Sequence, residues 1–310
     1  EKEVLLKEIQ HGDADIIVGT HCVLSDSVTF HNLALVIADE EHKFGVSQRE
    51  TLISKAAAGV HSLTMRATPI PRSLAQVLYG SAVELYTIKS KPADRKPVIT
   101  RVATSREKLY RAICAHKRQG HQTYVVCPLI EKTDKMQGVK SVDEIREEFR
   151  AALPPEVSIG TLSGRDKADV AEKVIHDFKS GAIDVLISTT VVEVGINVPT
   201  ATIMVIMNAE RFGVAQMHQL RGRVGRGSYQ SYCVLDVTNP TEDAAQKIQA
   251  MVNSNDGFEI AREDLRIRGT GDLLGTKQTG HDKYIGLIIS KPEIYERVQE
   301  ITSSVMEEIL

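Results

Sequence analysis

DVLISTTVVEVGINVP, residues 184–199, decides how this chain is built. An apolar run of strand length ends abruptly in Ser188, Thr189 and Thr190, and the chain then passes through Glu193-Val194-Gly195 to Pro199. Such a run reads as a strand covered on both faces, as parallel strands are. Its exit gathers hydroxyls and backbone N–H groups where phosphate can be met. Working outward, runs of the same kind recur at 15–21, 33–40, 61–68, 82–88, 123–130, 157–164, 201–209 and 231–237. Between them the spacing predicts helices over 106–119, 141–152 and 166–179, where apolar residues recur three and four apart. The expectation is α/β layers around mostly parallel sheets. KSKPADRKPVIT (89–100), with two prolines and four basic residues, reads as an interdomain linker. Beyond Val237 the pattern turns wholly helical. Asn239-Pro240 offers an N-cap to a helix ending near Asn253, and a shorter helix follows from about Phe258 to Arg268.

The composition excludes several classes. Of 310 residues 42% are hydrophobic and 25% charged, with 38 Lys and Arg against 41 Asp and Glu, which rules out a disordered tail or a collagenous repeat. At about 100–200 residues per domain, two domains are expected. No apolar run approaches the about 18 residues of a membrane helix, and EKEVLLKEIQ at the start is too charged for a signal peptide. A first residue of Glu1 rather than Met suggests a fragment. Cys22, Cys114, Cys127 and Cys233 show no C-x-x-C pair and read as reduced core thiols, in a cytoplasmic type of chain.

Three stretches carry the chemistry. In LVIADEEHKFG (35–45) a buried strand feeds Asp39, Glu40, Glu41 and His42, and adjacent carboxylates at the carboxyl end of a parallel strand suit Mg²⁺ and an oriented water. In TMRATPIPR (64–72) another strand ends at the polar Thr68. In QLRGRVGRG (219–227), Arg221, Arg223 and Arg226 stand among three glycines; a planar guanidinium pairs with phosphate oxygens in bidentate fashion, and glycine lets backbone approach. Further on, Arg266, Arg268 and Gln278 belong to a polar, glycine-punctuated stretch of the kind that binds or moves.

Taken in order, these segments resemble superfamily 2 helicases and, within them, the RecG-type branch-migration DNA helicases. DEEH (39–42) is similar to the DExH box, RATPIPR (66–72) to motif III, STTVVEVGINVP (188–199) to motif V and QLRGRVGRG (219–227) to motif VI. GTH (19–21) resembles motif Ib. NAERFG (208–213) and NDGFEIAREDLRIRGTGDLLGTKQTG (255–280) narrow the match, the latter resembling a helical hairpin and loop that couple hydrolysis to translocation.

The resemblance implies RecA-like lobes: residues 1–95 as the later part of lobe 1, 96–238 as lobe 2, and 239–310 as the translocation hairpin, loop and C-terminal helices. It implies ATP and Mg²⁺ as cofactors, with Asp39 holding the metal through water and Glu40 polarising the attacking water beside His42. Gln219, Arg223 and Arg226 would meet the γ-phosphate, and Gly195 and Asn197 would line the nucleotide. Gly19, Thr20, His21, Thr68, Thr189, Thr190, Glu193, Arg266, Arg268 and Gln278 would touch DNA or couple to it. Parts of a basic track would come from Lys89, Lys91, Arg95, Lys96, Arg101 and Arg262. The implied activity is that of an ATP-dependent double-stranded DNA translocase. It would act as a monomer on forks and Holliday junctions in recombination and repair, near the bacterial nucleoid, with single-stranded DNA-binding protein as a further partner. The alternatives are a translocase resembling the transcription-repair coupling factor and a nonenzymatic DNA-binding remnant. Three departures stand out: no G-x-x-x-x-G-K-[ST] occurs, Arg66 stands where motif III usually has threonine, and Asn197 where motif V usually has aspartate.

Overall fold

The computed structural model describes residues 2–39, 60–66, 83–88, 95–128, 140–189 and 198–268, with a few positions between 297 and 305. Two compact units emerge, Glu1–Ala67 and Thr68–Leu310.

In the first unit, helix α1 (Lys2–His11) ends at Gly12, whose amide donates to the Glu8 carbonyl from a left-handed φ of +84°. Strands β1 (Leu35–Asp39) and β2 (His61–Met65) pair in parallel, with Ala38 opposite Thr64 and Asp39 opposite Met65. The strand expected over 15–21 does not form. Ile16 and Val18 are 84% and 92% exposed, and the segment turns into a short 3-10 helix at His21–Leu24. Apolar composition makes a strand only where a neighbour supplies the ladder.

The second unit holds a six-stranded parallel sheet, in the order β3-β8-β7-β4-β6-β5. Its strands are β3 (Ile99–Val102), β4 (Gln122–Val126), β5 (Ile159–Leu162), β6 (Val185–Ser188), β7 (Ala201–Ile206) and β8 (Tyr232–Leu235). Strand β3 corrects the linker reading. Pro97 precedes it and cannot donate, which an edge strand paired only with β8 tolerates, so the linker's last residues enter the sheet. The strand expected over 82–88 shows no ladder among the described residues.

Helices α2 (Arg106–Lys117) and α3 (Val142–Ala152) cover one face, where Leu109, Ile113, Ile145 and Phe149 pack on Val125, Ile187 and Val205. Helices α4 (Ala168–Lys179) and α5 (Val214–Arg221) cover the other, with Phe178, Met217 and Leu220 against Tyr124, Leu186 and Met204. Helices α6 (Glu242–Asn253) and α7 (Gly257–Arg268) join that second layer through Ile248, Met251 and Ile260. The helix starts are chemically marked. Ser141 and Glu144 form a reciprocal capping box on α3, Ser105 accepts from the Lys108 amide, and Thr241 accepts from the Ala244 amide. Thr241, rather than Asn239, therefore caps α6. The four cysteines are free thiols; Cys127 and Cys233 are buried as expected, but Cys22 is exposed and is no core residue.

Phe149 is fully buried and meets the Tyr110 ring edge-on, with centroids 5.2 Å apart. Phe149→Ala is expected to lower the unfolding free energy by about 3–5 kcal/mol through lost transfer energy and a cavity. A urea midpoint shift of the matching size is the check.

Candidate functional site

The sheet itself sets the place. Strand β4 leads to α3 on one face, while its neighbour β7 leads to α5 on the other. Divergence of that kind opens a crevice at the carboxyl ends of parallel strands, where ligands of such sheets bind. Cys127, Ser188, Thr189, Met207, Asn208 and Asp236 lie at those ends. Ser188 and Thr189 are 0% and 5% exposed, and neither hydroxyl has a hydrogen-bond partner among the described residues. Such groups cost free energy until something meets them. Asn208 opens NAERFG in the left-handed region at φ 49°, and its amide donates to Thr238 Oγ1 at 3.1 Å. The next amide, of Ala209, donates to the Asp236 carbonyl at 2.7 Å, so the motif bolts the end of β7 to that of β8.

The motif VI segment follows α5 and divides its arginines. Arg221 is 4% exposed and turned inward: Nη1 donates to the carbonyls of Met251 and Ser254 at 3.0 and 2.8 Å, and to Thr100 Oγ1 at 3.3 Å. Met251 and Ser254 stand at the carboxyl end of α6, whose last carbonyls lack helical partners and carry partial negative charge. Arg221 is therefore a clamp between α5, β3 and α6 and not a surface phosphate ligand. Burial pulls its pKa down. Arg223 and Arg226 are half-buried on the loop beyond, and Arg226 Nε donates to the Gly222 carbonyl at 3.1 Å. Burial, then Arg223 and then Arg95, holds Arg226 below the usual arginine value.

The remaining sequence-predicted residues fall into two groups. Asp39 ends β1 with an exposed side chain. Gly19 and Thr20 precede the 3-10 turn that begins at His21; Thr20 Oγ1 reaches Cys22 Sγ at 3.5 Å, and a Cβ on Gly19 would come within 2.3 Å of Val23. Gln219 is half-buried on α5. Arg266 is exposed on α7 and pairs with Glu263 at 2.9 Å, and Arg268 is the last residue of that helix. Glu40, His42, Thr68, Thr190, Glu193, Gly195, Asn197 and Gln278 lie outside the described residues. Among the described residues no group of three His, Cys, Asp or Glu side chains is arranged to hold a metal.

One cluster went unread in the sequence. Arg106, at the start of α2, reaches Asp236 at 2.9 Å and Glu148 at 3.3 Å, while Glu148 also accepts from Tyr110 and from Lys140, each at 2.7 Å. The network ties α2 and α3 to the carboxyl end of β8. Its only linear trace is Arg106 and Tyr110 four apart on one helix face. Burial pushes Asp236 up and Arg106 pulls it back. Burial also pushes Glu148 up, but the bonds from Lys140 and Tyr110 and the Arg106 charge outweigh it and leave the carboxyl below its ordinary value. A carboxylate depressed in the folded state contributes stability above its unfolded value, near 4.5, and loses it as pH falls through the folded one. Glu148→Gln is therefore expected to lower the urea midpoint at neutral pH and to flatten its decline below about pH 4.5. A titration of the midpoint against pH measures both.

Comparison with known proteins completes the site. Residues 104–228 match the helicase conserved C-terminal domain, and residues 254–308 match the C-terminal part of domain 3 of the ATP-dependent DNA helicase RecG. The chain is 43% identical over 282 residues to the ATP-dependent DNA helicase RecG of Staphylococcus aureus, covering 90% of this chain and 41% of that one. It is 42% identical over 304 residues to RecG of Synechocystis, covering 97% and 36%. A structure of RecG bound to a three-way DNA junction superposes with a TM-score of 0.65 at 37% identity, covering 87% of this chain and 35% of the other. The chain thus spans about two fifths of the length of the curated relatives it matches. The chain is thus similar to the RecG helicases along a portion of their length that carries the helicase conserved C-terminal domain and, after it, a RecG-specific segment.

Proposed function

We propose that this chain is part of an ATP-driven motor that translocates on double-stranded DNA and remodels branched junctions. The observation that carries the reading is the second lobe's motif VI loop, where Arg223 and Arg226 stand half-buried beyond the end of α5, in a lobe whose sheet ends in Ser188 and Thr189 hydroxyls that are unsatisfied among the described residues. Guanidinium forks and buried donors suit a phosphate group, so the residues present fit a nucleotide's terminal phosphates. Bound ATP supplies the phosphoryl group whose transfer to water drives the motor. Arg223 and Arg226 would neutralise charge on that group, with Gln219 supporting them from α5, and Gly195 and Asn197 would line the nucleotide. Asp39 would hold Mg²⁺ through water, and Glu40 would orient the attacking water beside His42.

The coupling to DNA is proposed along the same lines. Residues 1–95 serve as the later part of the first lobe, 96–238 as the second, and 239–310 as the translocating hairpin with its loop. Arg221 supports a mechanical link, since it joins the motif VI helix to the end of α6 through two donated hydrogen bonds and to β3 through a third. Gly19, Thr20, His21, Thr68, Thr189, Thr190, Glu193, Arg266, Arg268 and Gln278 are the proposed DNA-side and coupling contacts. The substrate class is branched duplex DNA, forks and Holliday junctions included. The motor would act as a monomer in recombination and repair beside the nucleoid, with single-stranded DNA-binding protein as an accessory partner. The match of residues 254–308 to a RecG-specific domain favours this reading over a coupling factor or an inert remnant.

No G-x-x-x-x-G-K-[ST] occurs in these 310 residues, so the loop that cradles the β- and γ-phosphates is not among them. The chain alone is expected to leave ATP intact, whereas a version extended upstream by a RecG-type first lobe should hydrolyse it with stimulation by a forked duplex. In the extended protein Glu40→Gln should abolish turnover and spare nucleotide binding, and Arg226→Gln should lower kcat by about 10³-fold. Steady-state phosphate release with and without the fork measures all three. Undiminished turnover in either variant contradicts the assigned roles.

A further inference from the structure

The segment that enters the second lobe lies directly against the motif VI loop. Gln230 Nε2 donates to the Pro97 carbonyl at 2.8 Å, and the Ile99 amide donates to the Ser231 carbonyl at 3.0 Å. Gly225, between Arg223 and Arg226, takes a left-handed φ of +74°; a Cβ there would come within 2.7 Å of Val98 Cγ2 and 3.9 Å of the Lys96 carbonyl. Residues 96–98 are therefore in contact with the loop that carries the two arginines. Arg95 opens this segment with an exposed side chain, and its charge acts on Arg226 as that of Arg223 does. Beneath them, the Tyr124 ring is fully buried against Phe178, with centroids 4.7 Å apart. Its hydroxyl feels both loop arginines and has no hydrogen-bond partner among the described residues.

Like charges brought together repel, and a compact polyanion reverses the sign of that interaction. Duplex DNA, one charge per about 1.7 Å of axis, rewards a stripe of cations. Arg223 and Arg226 on one loop, and Arg95 one residue before the 96–98 segment that packs on it, make a compact cluster instead. We propose that Arg95 is a third cationic contact of the motif VI phosphate site, so that the segment entering the second lobe closes on the same polyphosphate that Arg223 and Arg226 hold. The proposal rests on the reading that those two arginines meet the nucleotide's phosphates. It adds a residue outside the helicase motifs.

The test is calorimetric titration of sodium tripolyphosphate into the 310-residue chain, with a short blunt DNA duplex as a second titrant. The unmodified protein is compared with Arg95→Gln, Arg226→Gln and, as control, Lys173→Gln on the exposed side of α4. Arg95→Gln should weaken tripolyphosphate binding by about three- to tenfold at an unchanged melting temperature and leave duplex binding unaltered. Arg226→Gln should weaken it at least as much, and Lys173→Gln not at all. If Arg226→Gln weakens binding and Arg95→Gln does not, Arg95 is no contact, although the motif VI reading stands. If Arg95→Gln weakens duplex binding instead, the residue belongs to a DNA track and the proposal is overturned. Failure of the unmodified chain to bind tripolyphosphate overturns the three-cation site, and the motif VI reading then rests on its turnover test.

Discussion

A parallel sheet covered on both faces governs everything else in the second unit. Every residue of β4, β6 and β7 is buried, so each face must be apolar or internally satisfied along its length. Two of the polar side chains follow that rule. Gln122 donates to the Phe178 and Ile183 carbonyls and accepts from Thr200, and Thr202 is bonded by His116 Nδ1 at 2.7 Å. Gln122 and Thr202 stand at the amino ends of their strands, next to His121, whose Nδ1 is unmet among the described residues, while Ser188 and Thr189 are unmet at the carboxyl ends.

The same constraint explains the split within motif VI. Three arginines in six residues look alike on paper, yet Leu220 and Met217 must face the sheet, and that rotation of α5 carries Arg221 inward with them. A buried guanidinium survives only with its donors met, and the carbonyls at the end of α6 meet them. Arg223 and Arg226 follow the helix end at Gly222 and escape this fate. One short motif thereby both holds the end of α6 and keeps two further arginines half-buried on the loop beyond it.

Much of this was legible from spacing. The helices over 106–119, 141–152 and 166–179 carry three- and four-residue apolar periods and appear within two residues of their expected bounds, because local caps such as Ser141 with Glu144 coincide with the core pattern. The runs at 15–21 and 82–88 misled because strand identity depends on a partner that composition does not reveal. β3 was obscured by Pro97 and the basic residues around it, which an edge strand permits. In the site, the motif arginines were readable by type but not by direction. The network of Arg106, Glu148 and Asp236 was invisible, since its members lie far apart in the chain and meet only when α2, α3 and β8 converge.

The division of labour between the motif VI arginines is the central claim, and the urea midpoint of two single variants tests it most directly. Arg221→Gln should lose about 2–4 kcal/mol of unfolding free energy, since a buried donor set vanishes and the α6 carbonyls are left unmet. Arg226→Gln should stay within about 0.5 kcal/mol of the unmodified chain, as half-buried loop substitutions usually do. Equal losses, or a larger loss at Arg226, would contradict the account.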